Sequence, residues 1–145
     1  MTASGLPHRV RDSEDPIRFF FDESCLGIGK VVAQARTDAI YPGHPRSLIT
    51  PGDPDSEWIP VAAEKRWVVV LRDKRLQKRP AELAALAANP LRVLVLTSAG
   101  QLRVWDQLRV LLRYWDRIED LVEENAGPWL VAATKNGLRQ RPYPT

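Results

Sequence analysis

Three apolar runs punctuate the chain: IRFFFD over 17–22, WVVVL over 67–71 and LRVLVLT over 91–97. Each is short, rich in aromatic or β-branched residues, and flanked by charged residues or Pro. That combination predicts buried strands. PWLVAAT over 128–134 predicts a further strand, and AIY over 39–41 a short one. The segments between follow a helical period. In LGIGKVVAQAR, 26–36, Leu26, Val31, Val32 and Ala35 share one helical face, while Gly27 and Gly29 weaken its start. DSEWIPVAAEK, 55–65, predicts a short helix with Asp53 or Asp55 as N-cap, kept brief by Pro60. AELAALAA, 81–88, predicts another. A long helix is expected from about Gln101 to Asn125, stopped by Gly127. Along it Val104, Leu108, Leu111, Trp115, Ile118 and Val122 form an unbroken apolar stripe.

Strands therefore alternate with helices, and the strands read as continuous apolar runs. This predicts an α/β protein whose mostly parallel sheet is covered on both faces. Residues 1–16 are polar, broken by Pro7 and Pro16, and read as a flexible lead-in. The folded domain spans 17–134, with a loop over 42–54 that holds four Pro and two Gly. Residues 135–145 read as a basic, Pro-rich tail.

Composition narrows the class. A chain of 145 residues fits one domain and needs no staple to bury a core. The single Cys25 excludes an internal disulfide and any thiolate zinc cluster. No apolar run is long enough to span a membrane, and the first residues contain no signal-peptide core. The expectation is a soluble, cytoplasmic domain. A net charge of +3 identifies no partner by itself.

The placement of the charges says more. In an open parallel sheet, the site lies outside the carboxyl ends of the strands. IRFFF is followed at once by Asp22 and Glu23, and WVVVL by Arg72 and Asp73. Asp22 and Asp73 are 51 residues apart in sequence, yet the fold rule puts both at one edge. On neighbouring strands, about 4.8 Å apart, two Asp repel unless a cation stands between them. Hard oxygen ligands suit Mg²⁺ or Mn²⁺. Asp53, Asp55 and Glu57 open the helix before the second of these strands, which brings a third acidic segment to the same edge. Taken singly, each acid is as readily a cap or a turn residue. Gathered at matching strand ends, they read better as a metal centre.

RDKRLQKR, 72–79, holds five basic residues directly around Asp73: Arg72, Lys74, Arg75, Lys78 and Arg79. A solvated face explains such a run about as well as a phosphate-backbone footprint does. An acidic metal centre with a basic border is what phosphodiester hydrolysis requires. The remaining candidates are weaker. His8 and His44 lie in loops without partners at ligand spacing, and Cys25 has no neighbouring base. LGIGK lacks the GxxxxGK[ST] pattern of a phosphate loop. Ser24 and Thr97 serve equally well as local caps, and Trp105 and Trp115 suit a core or an interface. An aspartyl-phosphate mechanism at Asp22 would want Asp at position 24, which is Ser.

FFFDES at 19–24 and PDSEWIPVAAEKRWVVVLRDKRL at 54–76, in this order, resemble the PIN-like domains of the VapC-type toxin superfamily. The resemblance covers roughly 17–97 and implies a three-layer α/β/α sandwich. It also implies a Mg²⁺- or Mn²⁺-dependent endoribonuclease, the toxin of a toxin–antitoxin pair held inactive by a cognate antitoxin. By position, Asp22 and Asp73 match the metal-binding aspartates, and Glu57, ahead of Asp55, the middle acid. Glu23 is auxiliary, and Arg72, Lys74, Arg75, Lys78 and Arg79 would hold the RNA backbone. A fourth acid is commonly found near the end of the later strand. Here that place reads TSAGQ, 97–101, with none. The alternative is therefore a non-catalytic PIN-like binding module. The long apolar stripe exceeds what one helix needs to cover a sheet, which leaves room for a homodimer.

Overall fold

The protein is described by a computed structural model covering residues 16–72, 80–97 and 103–145. The first three strands are β1 (Phe19–Phe21), β2 (Ala39–Ile40) and β3 (Val68–Arg72). They are followed by β4 (Arg92–Leu96), β5 (Trp129–Thr134) and β6 (Gly137–Arg141). The helices are α1 (Leu26–Ala35), α2 (Asp55–Lys65), α3 (Pro80–Ala88), α4 (Val104–Arg113) and α5 (Trp115–Glu124). A single turn of 3₁₀ helix, Glu23–Cys25, joins β1 to α1.

Alternation along the apolar runs feeds two cores. Phe19, Phe21, Val68, Val70, Leu94 and Leu96 point to one face, where they meet Ile28, Val32, Leu111 and Ile118 from α1, α4 and α5. Phe20, Val69, Val93 and Val95 point to the other, against Trp58, Ile59, Ala62 and Leu86 of α2 and α3. The fold is thus a three-layer α/β/α sandwich. Its strand order is β2-β1-β3-β4-β5-β6, all parallel except the β5–β6 pair. Both faces of the sheet are covered, so its strands need no polar side, which is why they read as unbroken apolar runs.

Gly27 and Gly29 stand where α1 comes closest to its neighbours. A Cβ on Gly29 would lie 2.7 Å from the Phe21 Cβ, and one on Gly27 the same distance from the Val104 side chain. The lower helix propensity at these positions is the cost of that approach.

At the opposite end of the sheet, Asp38 receives Arg36 through two hydrogen bonds of 2.8 and 2.9 Å. Glu119 receives Arg18 at 3.1 Å, and the Arg36 guanidinium lies over the Trp115 ring. The brace ties β1, β2 and α5 together. Even a well-exposed pair contributes only about 0.2–1 kcal/mol, and this part-buried brace also pays to desolvate its charges, whereas a fully buried Leu or Phe contributes about 1.5–3. The two cores therefore dominate.

The structure departs from the sequence expectations at three places. The long helix is two, α4 and α5, hinged at Tyr114, which is neither Pro nor Gly. The Tyr114 hydroxyl donates to the Lys135 carbonyl at 3.1 Å, anchoring the hinge beside the end of β5. The expected tail contains strand β6, which pairs antiparallel to β5 through the two-residue turn Lys135–Asn136. Beyond it the Tyr143 hydroxyl donates to the Leu86 carbonyl and accepts from the Leu91 N–H. Helix α2 spans the expected residues, with Pro60 inside it. Pro60 has no N–H to offer the Ser56 carbonyl, and both residues are exposed, where a lost helical bond costs least. Finally, the N-cap position of α2 is Pro54, with no side-chain cap. The Asp53 carboxylate instead accepts from the Thr50 N–H at 2.9 Å, closing the preceding turn. The expected lead-in lies outside the described residues except for Pro16.

Candidate acidic site at the sheet edge

The chain steps from β1 outward to β2, then back across β1 to β3. The strand order therefore reverses between β1 and β3, and such a switch point leaves a crevice at the carboxyl ends. Asp22 is the first residue after β1 and Arg72 the last of β3. Both lie at the carboxyl ends of these neighbouring strands.

Asp22 is 3% exposed. Its N–H bonds the Val70 carbonyl at 3.0 Å, which docks it against β3. One carboxylate oxygen accepts both the Ser24 N–H, at 2.7 Å, and the Ser24 hydroxyl. The same hydroxyl oxygen accepts the Arg72 N–H at 3.1 Å. Ser24 thus bridges the Asp22 carboxylate to the backbone of β3, one residue before Asp73. Removing its hydroxyl leaves a part-buried Arg72 N–H without its acceptor, at a cost of about 1–3 kcal/mol. Ser24→Ala is expected to lower stability to urea by about that much and to accelerate hydrogen exchange at the Arg72 amide. Ser24→Thr, which keeps the hydroxyl, should do neither. An unchanged Arg72 exchange rate in the alanine variant would refute the bridge.

Beside Asp22 opens a cleft of ≈ 410 Å³. Five carboxylates line it: Asp22, Glu23, Asp53, Asp55 and Glu82, together with Trp58 and the loop around Gly52. Among the described residues that line it, none is Lys or Arg. Glu23 accepts the Gly52 N–H, which folds the 42–54 loop over the 3₁₀ turn. Ser47, fully buried, stiffens that loop from within, its hydroxyl meeting the carbonyl of His44 at 3.0 Å and the N–H of Ile49 at 3.1 Å. Asp55 accepts the Trp58 Nε1–H at 2.8 Å.

The structure separates the two candidates for the middle acid. Asp55 lines the cleft, whereas Glu57 is exposed and does not. They are two residues apart on one helix, about 200° around its axis, so they cannot share a face. Of the two, Asp55 is the one on the cleft wall. Asp73, Lys74, Arg75, Lys78 and Arg79 lie outside the described residues; Arg72 is described, and is half-buried.

Glu82 was not singled out from the sequence. It is 8% exposed, in the first turn of α3, on the cleft wall. The rule that located Asp55 locates it too, because any helix following a parallel strand starts at the carboxyl edge. Glu82 also supplies an acid where the 97–101 segment has none. Thr97 is engaged locally, its hydroxyl on the Ala133 carbonyl at 3.3 Å. Asp106 pairs with Arg103.

Cys25 adds no nucleophile. Burial, reinforced by the Asp22 charge, pushes its thiol up to about 12, so it stays protonated at neutral pH. His44 is a loop brace: Nδ1 accepts the Arg46 N–H, and its ring meets the Tyr41 ring edge-on.

In kind, the donors fit a hard divalent cation, since they are carboxylate oxygens from several segments around one cleft. Among the described residues, no three His, Cys, Asp or Glu side chains stand close enough together to hold an ion unaided. Mg²⁺ characteristically keeps several waters and takes only one or two protein carboxylates, so a partial shell of this sort still suits it.

An α/β/α sandwich with carboxylates gathered at its β1/β3 switch point is an edge-site fold built to act on a ligand outside the sheet. A family profile described as a PIN like domain matches residues 17–98, and the chain belongs to that family. Such domains are often nucleases. No curated protein and no solved structure matches the chain. Among the described residues, no helix is long and apolar enough to cross a membrane.

Proposed function

We propose that the protein is a Mg²⁺- or Mn²⁺-dependent endoribonuclease, acting in the cytoplasm as the toxin of a toxin–antitoxin pair. The observation that carries this reading is the cleft at the switch point, whose described lining includes five carboxylates. A cleft of that sign repels phosphodiesters, so it is useful to a nuclease only with a divalent cation in it. Asp22 and Asp55 would hold the cation, with Asp73, the residue after Arg72, as a further ligand. Glu82 and Glu23 would complete the acidic wall and orient water. Bound there, the cation would polarise a phosphoryl oxygen and lower the pKa of an attacking water. Arg72, Lys74, Arg75, Lys78 and Arg79 would hold the RNA backbone beside the acids.

The second reading, a PIN-like binding module without catalysis, is favoured by the lack of a three-ligand group among the described residues. Calorimetric titration with Mn²⁺ and cleavage of a labelled single-stranded RNA separate the two. The nuclease reading expects saturable Mn²⁺ binding and cleavage that EDTA abolishes. A chain that binds no Mn²⁺ and leaves the RNA intact is the module.

A further inference from the structure

Among the described residues, five large hydrophobic side chains are substantially exposed, and four of them lie on α1 and α4. They are Val31 at 40%, Val104 at 38%, Trp105 at 65% and Leu112 at 63%. Both helices start at the carboxyl edge of the sheet and run the same way, and Gly27 against Val104 fixes their register. Val31 lies one helical turn beyond Gly27, beside a shallow depression it forms with Lys30, Gln34 and Ala35. Trp105 and Leu112, seven residues apart, share one outward stripe of α4, with Arg109 between them. The α1–α4 seam is therefore an apolar strip on the outside of a helical layer whose inner side is already satisfied by the core.

Its border is basic. α1 carries Lys30 and no acid, and α4 carries Arg109 and Arg113. Lys30 lies over the Tyr41 ring, and Arg113 reaches the Lys135 carbonyl; neither contact neutralises a charge. The one acid of α4, Asp106, is already paired with Arg103 at 3.5 Å.

We propose that this seam docks an acidic amphipathic helix of a second protein, with apolar anchors on Trp105, Leu112 and Val31 and carboxylates facing Lys30, Arg109 and Arg113. Opposed charge at the rim with an apolar strip at the centre is the pattern of helix-in-groove recognition. A second copy of this chain fits less well. Its own seam would bring like charges together. Its acidic helix, α5, turns Ile118, Leu121 and Val122 inward to the core and has no apolar knobs to offer. The inference is independent of any nuclease activity.

The test uses the full chain and a designed helical peptide with Leu and Trp on one face and Glu on the rest, followed by fluorescence anisotropy. Saturable binding is expected, weakening as salt rises. Trp105→Ala, Leu112→Asp and Arg109→Glu should each weaken it tenfold or more, with unchanged thermal melting because these side chains are exposed. A peptide with Lys in place of Glu should bind far less. No binding, equal binding of the Lys peptide, or variants that bind as the parent does would overturn the proposal. A self-associated chain in sedimentation that Leu112→Asp converts to monomer would overturn it as well, by giving the seam to a second copy.

Discussion

Asp22→Asn is expected to abolish metal-dependent RNA cleavage while leaving the fold intact. The change keeps the shape of the side chain and an oxygen that can accept the Ser24 N–H and hydroxyl, so the bridge to Arg72 survives. What it removes is the negative charge that would bind the cation. A bound metal stabilises the developing charge by several kcal/mol, and each 1.36 kcal/mol is tenfold in rate, so a loss of about 10²–10⁴ is expected. Stability should move the other way, or not at all. Asp22 is nearly fully buried, and burial penalises a charged carboxylate more than a neutral amide. The asparagine variant should therefore melt at or above the parent's temperature in EDTA. Cleavage at the parent rate by a well-folded Asp22→Asn protein would sink the assignment of this cleft as the catalytic centre.

That divergence between activity and stability reflects how the site is made. Each acid is delivered by an element whose position the sheet dictates: Asp22 by the end of β1, Asp55 and Glu82 by helix starts, Glu23 by the 3₁₀ turn. Several of these acids also hold local structure: Asp22 accepts the Ser24 N–H, Glu23 the Gly52 N–H and Asp55 the Trp58 Nε1–H. What they bring beyond those contacts is like charge along one cleft. At the other end of the sheet, the Arg18–Arg36–Asp38–Glu119 brace pairs each carboxylate with a guanidinium.

The strands and their acids were legible because a parallel sheet imposes two simple constraints. FFF and VVV must be apolar throughout, and whatever follows them must arrive at one edge. Asp22 and Arg72 follow from that alone. Glu82 obeyed the same constraint but was hidden in AELAALAA, whose alanines read as packing. The choice between Asp55 and Glu57 needed the phase of α2 relative to the cleft, which α2's own sequence leaves open because Asp55 and Glu57 precede its first buried residue. The break at Tyr114 was invisible for a different reason. The apolar stripe keeps its 3–4 spacing across the hinge, so periodicity records one helix where the backbone forms two. Strand β6 was masked by composition, because GLRQR is an edge strand, largely solvated, and edges tolerate charge. Its local signal was present in Asn136-Gly137, a dipeptide that favours tight hairpins, and Thr134 holds that turn by accepting the Asn136 N–H at 3.0 Å.

The largest loss of stability is expected at Phe20, not at any charged residue. Phe20 is fully buried in β1 on the α2–α3 face. Its ring centroid lies 5.4 Å from that of Trp67, nearly parallel to it, and 5.2 Å from that of Trp58. Truncating a buried Phe to Ala costs about 3–5 kcal/mol, the higher values arising where the surroundings cannot collapse into the gap. Here the walls are two indoles, a strand and a helix, all held by other contacts, so the upper part of that range applies. A domain of ordinary size has only about 5–15 kcal/mol in total, so Phe20→Ala should forfeit a large share of it. The midpoint of urea unfolding reports the loss directly. The site should weaken with the core, because Trp58 both packs on Phe20 and donates its Nε1–H to Asp55. Mn²⁺ affinity measured below the unfolding transition should therefore fall in Phe20→Ala, and less in Phe20→Leu, which fills more of the gap. An alanine variant within 1 kcal/mol of the parent would mean, as an order-of-magnitude threshold, that the aromatic cluster does not hold α2 against β1.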